Sequence, residues 1–242
     1  VDGVRTAFSP GAITAVVGPN GSGKTTLMGR IAGRLSGGEV SPEGADVVLL
    51  TQRPGLPPRS TAVEAVAMVT RDKVRAQELL AAAGLHELAD VPVPALSGGQ
   101  AAHVALVRAL AAQPAVLIVD EPLAAVDVKS AERWRRFLHA VRADRTTLLV
   151  THDALDIAHL AQDMLVMESG QVRAHGATAR LFEAPPTGFV AALAGLNRLE
   201  GTVTEIGASA VEVACGDITV LAATKDASLE PGQKVAVTFD PH

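Results

Sequence analysis

Residues 18–25 read Gly18-Pro19-Asn20-Gly21-Ser22-Gly23-Lys24-Thr25, between the apolar run Ile13-Thr14-Ala15-Val16-Val17 and a helix-compatible stretch from Thr25 to Leu35. Gly18, Gly23, Lys24 and Thr25 meet the spacing G-x-x-x-x-G-K-[ST] of a phosphate-binding P-loop. The chemistry needs each residue type. The glycines let successive backbone N–H groups turn inward around phosphate oxygens. Lys24 brings a point charge to the β and γ phosphates. The Thr25 hydroxyl is the usual Mg2+ ligand. The helix that follows, with Thr26 in its first turn, would aim its positive dipole end at the phosphates. Pro19, Asn20, Gly21 and Ser22 fill out the expected cradle. A chance glycine-rich turn would lack the strand before it and the helix after it.

Leu96-Ser97-Gly98-Gly99-Gln100 is a second five-residue landmark. Ser97 suits the cap of a helix running to about Ala112. Its hydroxyl and the Gly98 and Gly99 N–H groups would then form another anion-binding helix start, with Gln100 beside it. An ordinary capped helix after Pro94 is the plainer reading. Val116-Leu117-Ile118-Val119 reads as a strand buried on both faces of a parallel sheet, ending in Asp120-Glu121. Ligands in such sheets bind beyond the carboxyl ends of the strands. Asp120 is therefore placed to hold Mg2+ and Glu121 to polarise an attacking water; a solvated turn is the alternative. Thr147-Leu148-Leu149-Val150 is another such run, and His152 after it could donate to a γ-phosphate. The other histidines (His86, His103, His139, His159, His175, His242) read as surface or packed residues. Gln52, closing Val47-Val48-Leu49-Leu50-Thr51, could touch both Mg2+ and the attacking water. Asp127 could bridge two subunits or cap the helix expected over 129–141, and the two roles are compatible.

The order of these motifs resembles the ATPase subunit of an ABC transporter throughout residues 1–180: P-loop 18–25, Gln-loop Gln52, signature 96–100, Walker B 116–121, D-loop 124–127 and His-loop His152. Asp120-Glu121-Pro122-Leu123 is similar to importer ATPases. The stretch from Phe182 to Gly201 resembles molybdate and related oxyanion importers, in which it leads into an oligonucleotide-binding-like (TOBE) accessory domain. The resemblance implies ATP and Mg2+ as cofactors and a head-to-tail dimer in which the P-loop of one chain and Ser97-Gly98-Gly99 of the other enclose each ATP. It also implies integral membrane permease subunits as partners, at the cytoplasmic face of the membrane. The chain departs from the pattern in places. Phe8 is the sole aromatic among the 17 residues before Gly18, where an adenine-stacking ring is usual. Ala101-Ala102-His103 replaces the frequent Gln and Arg, and the D-loop lacks the usual Ser.

Composition agrees. The chain has 242 residues, 48% apolar, with net charge −5, which disfavours nucleic acid as the main partner. The single cysteine, Cys215, excludes an internal disulfide framework. No run approaches the roughly 18 apolar residues of a membrane span, so no direct membrane insertion is expected. The start does not look like a signal peptide, and because it is Val1 the natural start is expected upstream. The expected fold is α/β: an ABC-type ATPase over 1–195, with a helical subdomain at about 53–114, plus a small β, TOBE-like domain over 196–242. A strand is expected near Val4–Phe8, helices over 61–69, 71–83, 129–141, 153–160 and 177–183, and a hairpin around Ser169-Gly170. In the last 46 residues, three basic and seven acidic side chains imply that only backbone N–H groups would meet an anion there. Three rivals remain. A soluble ABC ATPase of DNA repair or translation would bring tandem cassettes, coiled coils or basic patches. A module without hydrolysis would not need Lys24, Glu121 and His152. An exporter ATPase would lack the importer-like tail. Sulfate, phosphate, iron and polyamine systems stay open as cargo beside molybdate.

Overall fold

The computed structural model describes residues 4–38, 40, 43–51, 55–123, 128–142, 145–207, 209–224 and 228–240. Two of the expected site residues, Gln52 and Asp127, lie outside the described residues. The chain divides into two compact units, Val1–Ala179 and Arg180–His242.

The first unit is built on a six-stranded sheet. Its strands are β1 (Ile13–Val17), β2 (Val47–Leu50), β3 (Val116–Asp120), β4 (Thr146–Val150), β5 (Asp163–Glu168) and β6 (Gln171–Ala177). Their order is β2-β3-β4-β1-β5-β6, parallel except for β6. Every residue of β1 is buried. A strand flanked on both sides and covered on both faces cannot alternate polar and apolar residues, hence Ile-Thr-Ala-Val-Val. Val16, Ile118, Leu148, Val150, Leu165 and Met167 share a core with Leu27 and Met28 of α1 (Lys24–Ile31). At the edge, β2 is only partly buried. Ser169 (φ 51) and Gly170 (φ 76) make the two-residue turn between β5 and β6.

A helical part separates β2 from β3. It comprises α2 (Ala62–Thr70), α3 (Lys73–Ala82), two short 3-10 turns and α4 (Gly98–Ala111), which pack on one another, with α4 also against β2. Thr61 and Glu64 form a reciprocal capping box at α2, and the Asp72 carboxylate caps α3. After β3 comes α5 (Val128–Ala140), and after β4 comes α6 (Ala154–Leu160).

The strand expected at Val4–Phe8 does not form; residues 4–9 join no ladder. Thr6 Oγ1 lies 3.0 Å from His175 Nδ1, and the Phe8 ring is 5.8 Å from the His175 ring. The link to β6 is therefore made by side chains, and the stretch packs without joining the sheet. Phe8 is partly buried against the core, as its apolar character implies.

The second unit holds α8 (Gly188–Leu193), preceded by α7 (Thr178–Glu183), which straddles the division. It continues with β7 (Asn197–Ile206), β8 (Ala210–Cys215), β9 (Ile218–Ala223) and β10 (Lys234–Phe239), an antiparallel sheet in the order β10-β7-β8-β9. Val211, Val213, Cys215 and Val237 form its apolar face. The sequence reading did not include α8. Its signal is Thr187, whose hydroxyl accepts from the Val190 N–H at 3.3 Å, just after two prolines that cannot extend a helix backwards.

Candidate functional site

The 18–25 loop joins β1 to α1. Gly18 (φ 148), Gly21 (φ 77) and Gly23 (φ 99) hold backbone angles that side chains disfavour. At Gly18 the constraint is also steric, since a Cβ there would fall 2.0 Å from the Met167 carbonyl oxygen. Ser22 is 2% exposed; its N–H donates to Pro19 O at 3.1 Å, and its carbonyl accepts from Gly170 N–H at 3.0 Å. The Lys24 ammonium donates to Gly18 O at 2.7 Å and to Pro19 O at 3.1 Å. Thr25 and Thr26 stand in the first turn of α1.

Strand order brings the other groups alongside. β4 lies between β1 and β3, so His152 and the Asp120-Glu121 pair leave neighbouring strands at the carboxyl edge where the P-loop begins. The Glu121 N–H donates to Val150 O at 2.8 Å, and Glu121 adopts φ 49, a left-handed conformation costly for this residue type. Its Oε1 lies 2.8 Å from His152 Nδ1, with the glutamate side chain 23% and the histidine 71% exposed. Burial lowers the Lys24 ammonium from its ordinary range, opposed by the charges of Asp120 and Glu121. Burial raises the Asp120 carboxyl, helped by Glu121 and opposed by Lys24. Lys24, Asp120 and Glu121 thus form one electrostatic cluster, and two crowded carboxylates with a single ammonium favour the arrival of another cation.

That donor set suits Mg2+, a hard cation that takes carboxylate and hydroxyl oxygens from the protein and completes its shell with phosphates and water. Among the described residues no group of three or more His, Cys, Asp or Glu converges.

The 96–100 stretch caps α4. Ser97 Oγ accepts from the Gln100 N–H at 3.2 Å, and Gln100 Oε1 accepts from the Ser97 N–H at 2.9 Å. Ser97 and Gly98 are exposed, and the helix buries its far end. There His103 stacks on Trp134 of α5, with centroids 4.2 Å apart and planes at 24°, so His103 is a packed residue.

The sequence profile of the ABC transporter family matches residues 1–124, just over half of the chain. The chain belongs to the ABC transporter family. It is 37% identical to the molybdenum import ATP-binding protein ModC of Mycobacterium tuberculosis, over 83% of the cassette and 63% of that protein. It is 35% identical to the sulfate/thiosulfate import ATP-binding protein CysA of Ralstonia nicotianae (90% and 68%). It is 33% identical to the spermidine/putrescine import ATP-binding protein PotA of Thermobifida fusca (98% and 68%). The cassette thus spans about 63% of the length of its molybdenum relatives. Its fold is shared with an ATP-binding cassette solved as a post-hydrolysis dimer with ADP and Pi, at TM-score 0.61 and 24% identity over 71% of this chain and 88% of that one.

Two features of the cassette escaped the sequence reading. The first is the Arg135–Asp156 ion pair, which joins α5 to α6 at 2.7 Å; no motif spacing marks it. The second concerns the C-terminal unit. Arg198 and Lys234 line a cavity of about 510 Å3 with Glu200 and Thr202. Their residues share one face of the sheet because Lys234 pairs with Thr202 and Thr238 with Arg198. Arg198 donates to Glu200 Oε1 at 2.6 Å, so a carboxylate already shares the basic side chains of this cavity, in keeping with the acidic balance of the region. Among the described residues no helix is long and apolar enough to cross a membrane.

Proposed function

We propose that the cassette binds and hydrolyses ATP to power an ABC importer whose cargo is molybdate or a similar oxyanion. The observation that carries the hydrolytic part is the 2.8 Å contact of Glu121 with His152, beside Lys24 and Asp120. The Gly18–Thr26 backbone and hydroxyls wrap the phosphates, and Lys24 leaves its carbonyl partners to meet the β and γ oxygens. Thr25, Asp120 and Gln52 would hold Mg2+, which supplies charge neutralisation of the transferring phosphoryl group. Glu121 takes the proton side of the attacking water, and His152 holds Glu121 and reaches the γ-phosphate. Ser97, Gly98, Gly99 and Gln100 of a second copy close the site, with Asp127 bridging the two. Exposure of Ser97 and Gly98 at a helix start supports this role.

Permease subunits dock beside β2 and the 53–60 segment at the cytoplasmic face of the membrane. A cleft of about 400 Å3 lined by Arg34, Leu50, Thr51, Gly55 and Arg108 supports that position. Residues 196–242 act as a TOBE-like accessory domain. The molybdenum and sulfate relatives support an oxyanion as cargo.

The deciding experiment is ATP turnover by the purified cassette. Glu121→Gln keeps ATP binding and abolishes turnover; normal hydrolysis by that variant would overturn the assignment. With the permease present, turnover should rise with molybdate or sulfate, and a response to spermidine alone would reject the cargo class.

A further inference from the structure

Arg135 and Asp156 lie outside the phosphate site, yet they tie together the two limbs that carry its chemistry. Arg135 Nε donates to Asp156 Oδ1 at 2.7 Å, with side chains 16% and 5% exposed. Arg135 belongs to α5, which follows the β3 end bearing Glu121; Asp156 belongs to α6, which follows His152. The Asp156 N–H also donates to Asp153 Oδ1 at 3.2 Å, so Asp156 shares in the cap that starts α6. The Asp153 N–H donates to Thr151 Oγ1 at 3.1 Å. His152 therefore sits between two residues bonded to each other, and their cap is fastened through Asp156 to α5.

The same limbs meet a second time at Glu121 and His152, where the histidine is largely exposed. An exposed contact is weak on its own and competes with water. A buried ion pair, by contrast, adds little net stability over apolar packing, because both charges are desolvated. Burial indeed raises the Asp156 carboxyl despite the hydrogen bond and charge of Arg135. What such a pair supplies is direction, since a guanidinium bonds a carboxylate in a restricted geometry.

We propose that Arg135 and Asp156 are positioning residues for hydrolysis: their buried bond fixes α6 against α5 and thereby holds His152 Nδ1 on Glu121 Oε1. This rests on the ATPase reading above.

The test uses the full chain carrying Asp156→Asn. Turnover should fall roughly 10- to 100-fold, the scale set by a misplaced catalytic group, while the ATP dissociation constant changes by much less than turnover. In a His152→Ala background the same substitution should lower turnover no further, because the group it positions is gone. In the nucleotide-free protein, the imidazole 15N signals of His152 should move to the positions they take in Glu121→Ala. Arg135→Lys keeps a cation but not the planar fork, should show the same pattern, and stands in if Asp156→Asn folds poorly. Unmoved His152 signals, unchanged turnover, or an equal fall in the His152→Ala background would overturn the inference. Absence of ATP hydrolysis by the unmodified chain would instead defeat the ATPase reading, and the nucleotide-free His152 signals would still decide the positioning role.

Discussion

Replacing Gly18 with alanine separates the two constraints acting on the phosphate loop. The added Cβ would lie 2.0 Å from the Met167 oxygen, 2.9 Å from Ser22 Oγ and 3.0 Å from the Met167 carbonyl carbon. Met167 is fully buried in β5 and paired with Val172 of β6, so its carbonyl cannot retreat without disturbing the sheet. Gly21 is the internal control, with φ 77 and nothing within 4 Å of a Cβ. Gly21→Ala meets only the backbone term, about 1 kcal/mol, and its less flexible unfolded chain returns roughly 0.4–1 kcal/mol. Gly18→Ala, at φ 148, meets a backbone term at least as large and, in addition, an overpacking cost of about 1–3 kcal/mol. At roughly 2–4 °C per kcal/mol for a chain of this size, Gly18→Ala should melt roughly 2–12 °C below Gly21→Ala. Thermal unfolding without nucleotide gives the comparison, and titration with ATP gives the consequence. Because the loop must shift to admit the methyl, Gly18→Ala should also bind ATP more weakly than Gly21→Ala. Coincident melting of the two variants, or unimpaired ATP binding by Gly18→Ala, would refute the steric argument.

Asp120 has its folded-state pKa raised by burial and by Glu121. The folded chain therefore holds more protons than the unfolded one in the window above the ordinary value of 3.8, and stability falls as pH rises through that window. Asp120→Asn should flatten that fall and melt higher than the unmodified chain at pH 7 while losing Mg2+-dependent ATP binding; a lower melting temperature would count against the crowded-carboxylate account. If the site is shared between copies, mixing a Ser97→Arg chain with a Lys24→Ala chain should restore one intact composite site per heterodimer, seen as turnover absent from either alone. No recovery at any mixing ratio, with heterodimers verified, would reject the shared site.

The phosphate loop is legible in the sequence because its chemistry occupies eight consecutive residues and its flanking strand and helix are local. The Ser97–Gln100 capping box is legible for the same reason: both partners lie within one helical turn. The sequence also marks Asp120, Glu121 and His152 as strand-end residues, since short, continuously apolar runs ending in polar groups are what strands buried on both faces of a parallel sheet look like. Gln52 and Asp127 rest on sequence alone. Strand order was not legible, and it is the order β3-β4-β1 that makes Glu121 a neighbour of His152 and sets Glu121 near Lys24. Nor could the sequence pair Arg135 with Asp156 or set the Met167 carbonyl against Gly18. It missed the strandless packing at Val4–Phe8 because apolar residues near a sheet edge can be buried through side chains without entering the ladder. By itself, then, the sequence determined the chemical identity of each group and the element that carries it, both of which depend on near neighbours in the chain. Tertiary structure decided which groups meet and at what distance, because packing two faces of one sheet brings together residues that no local spacing relates.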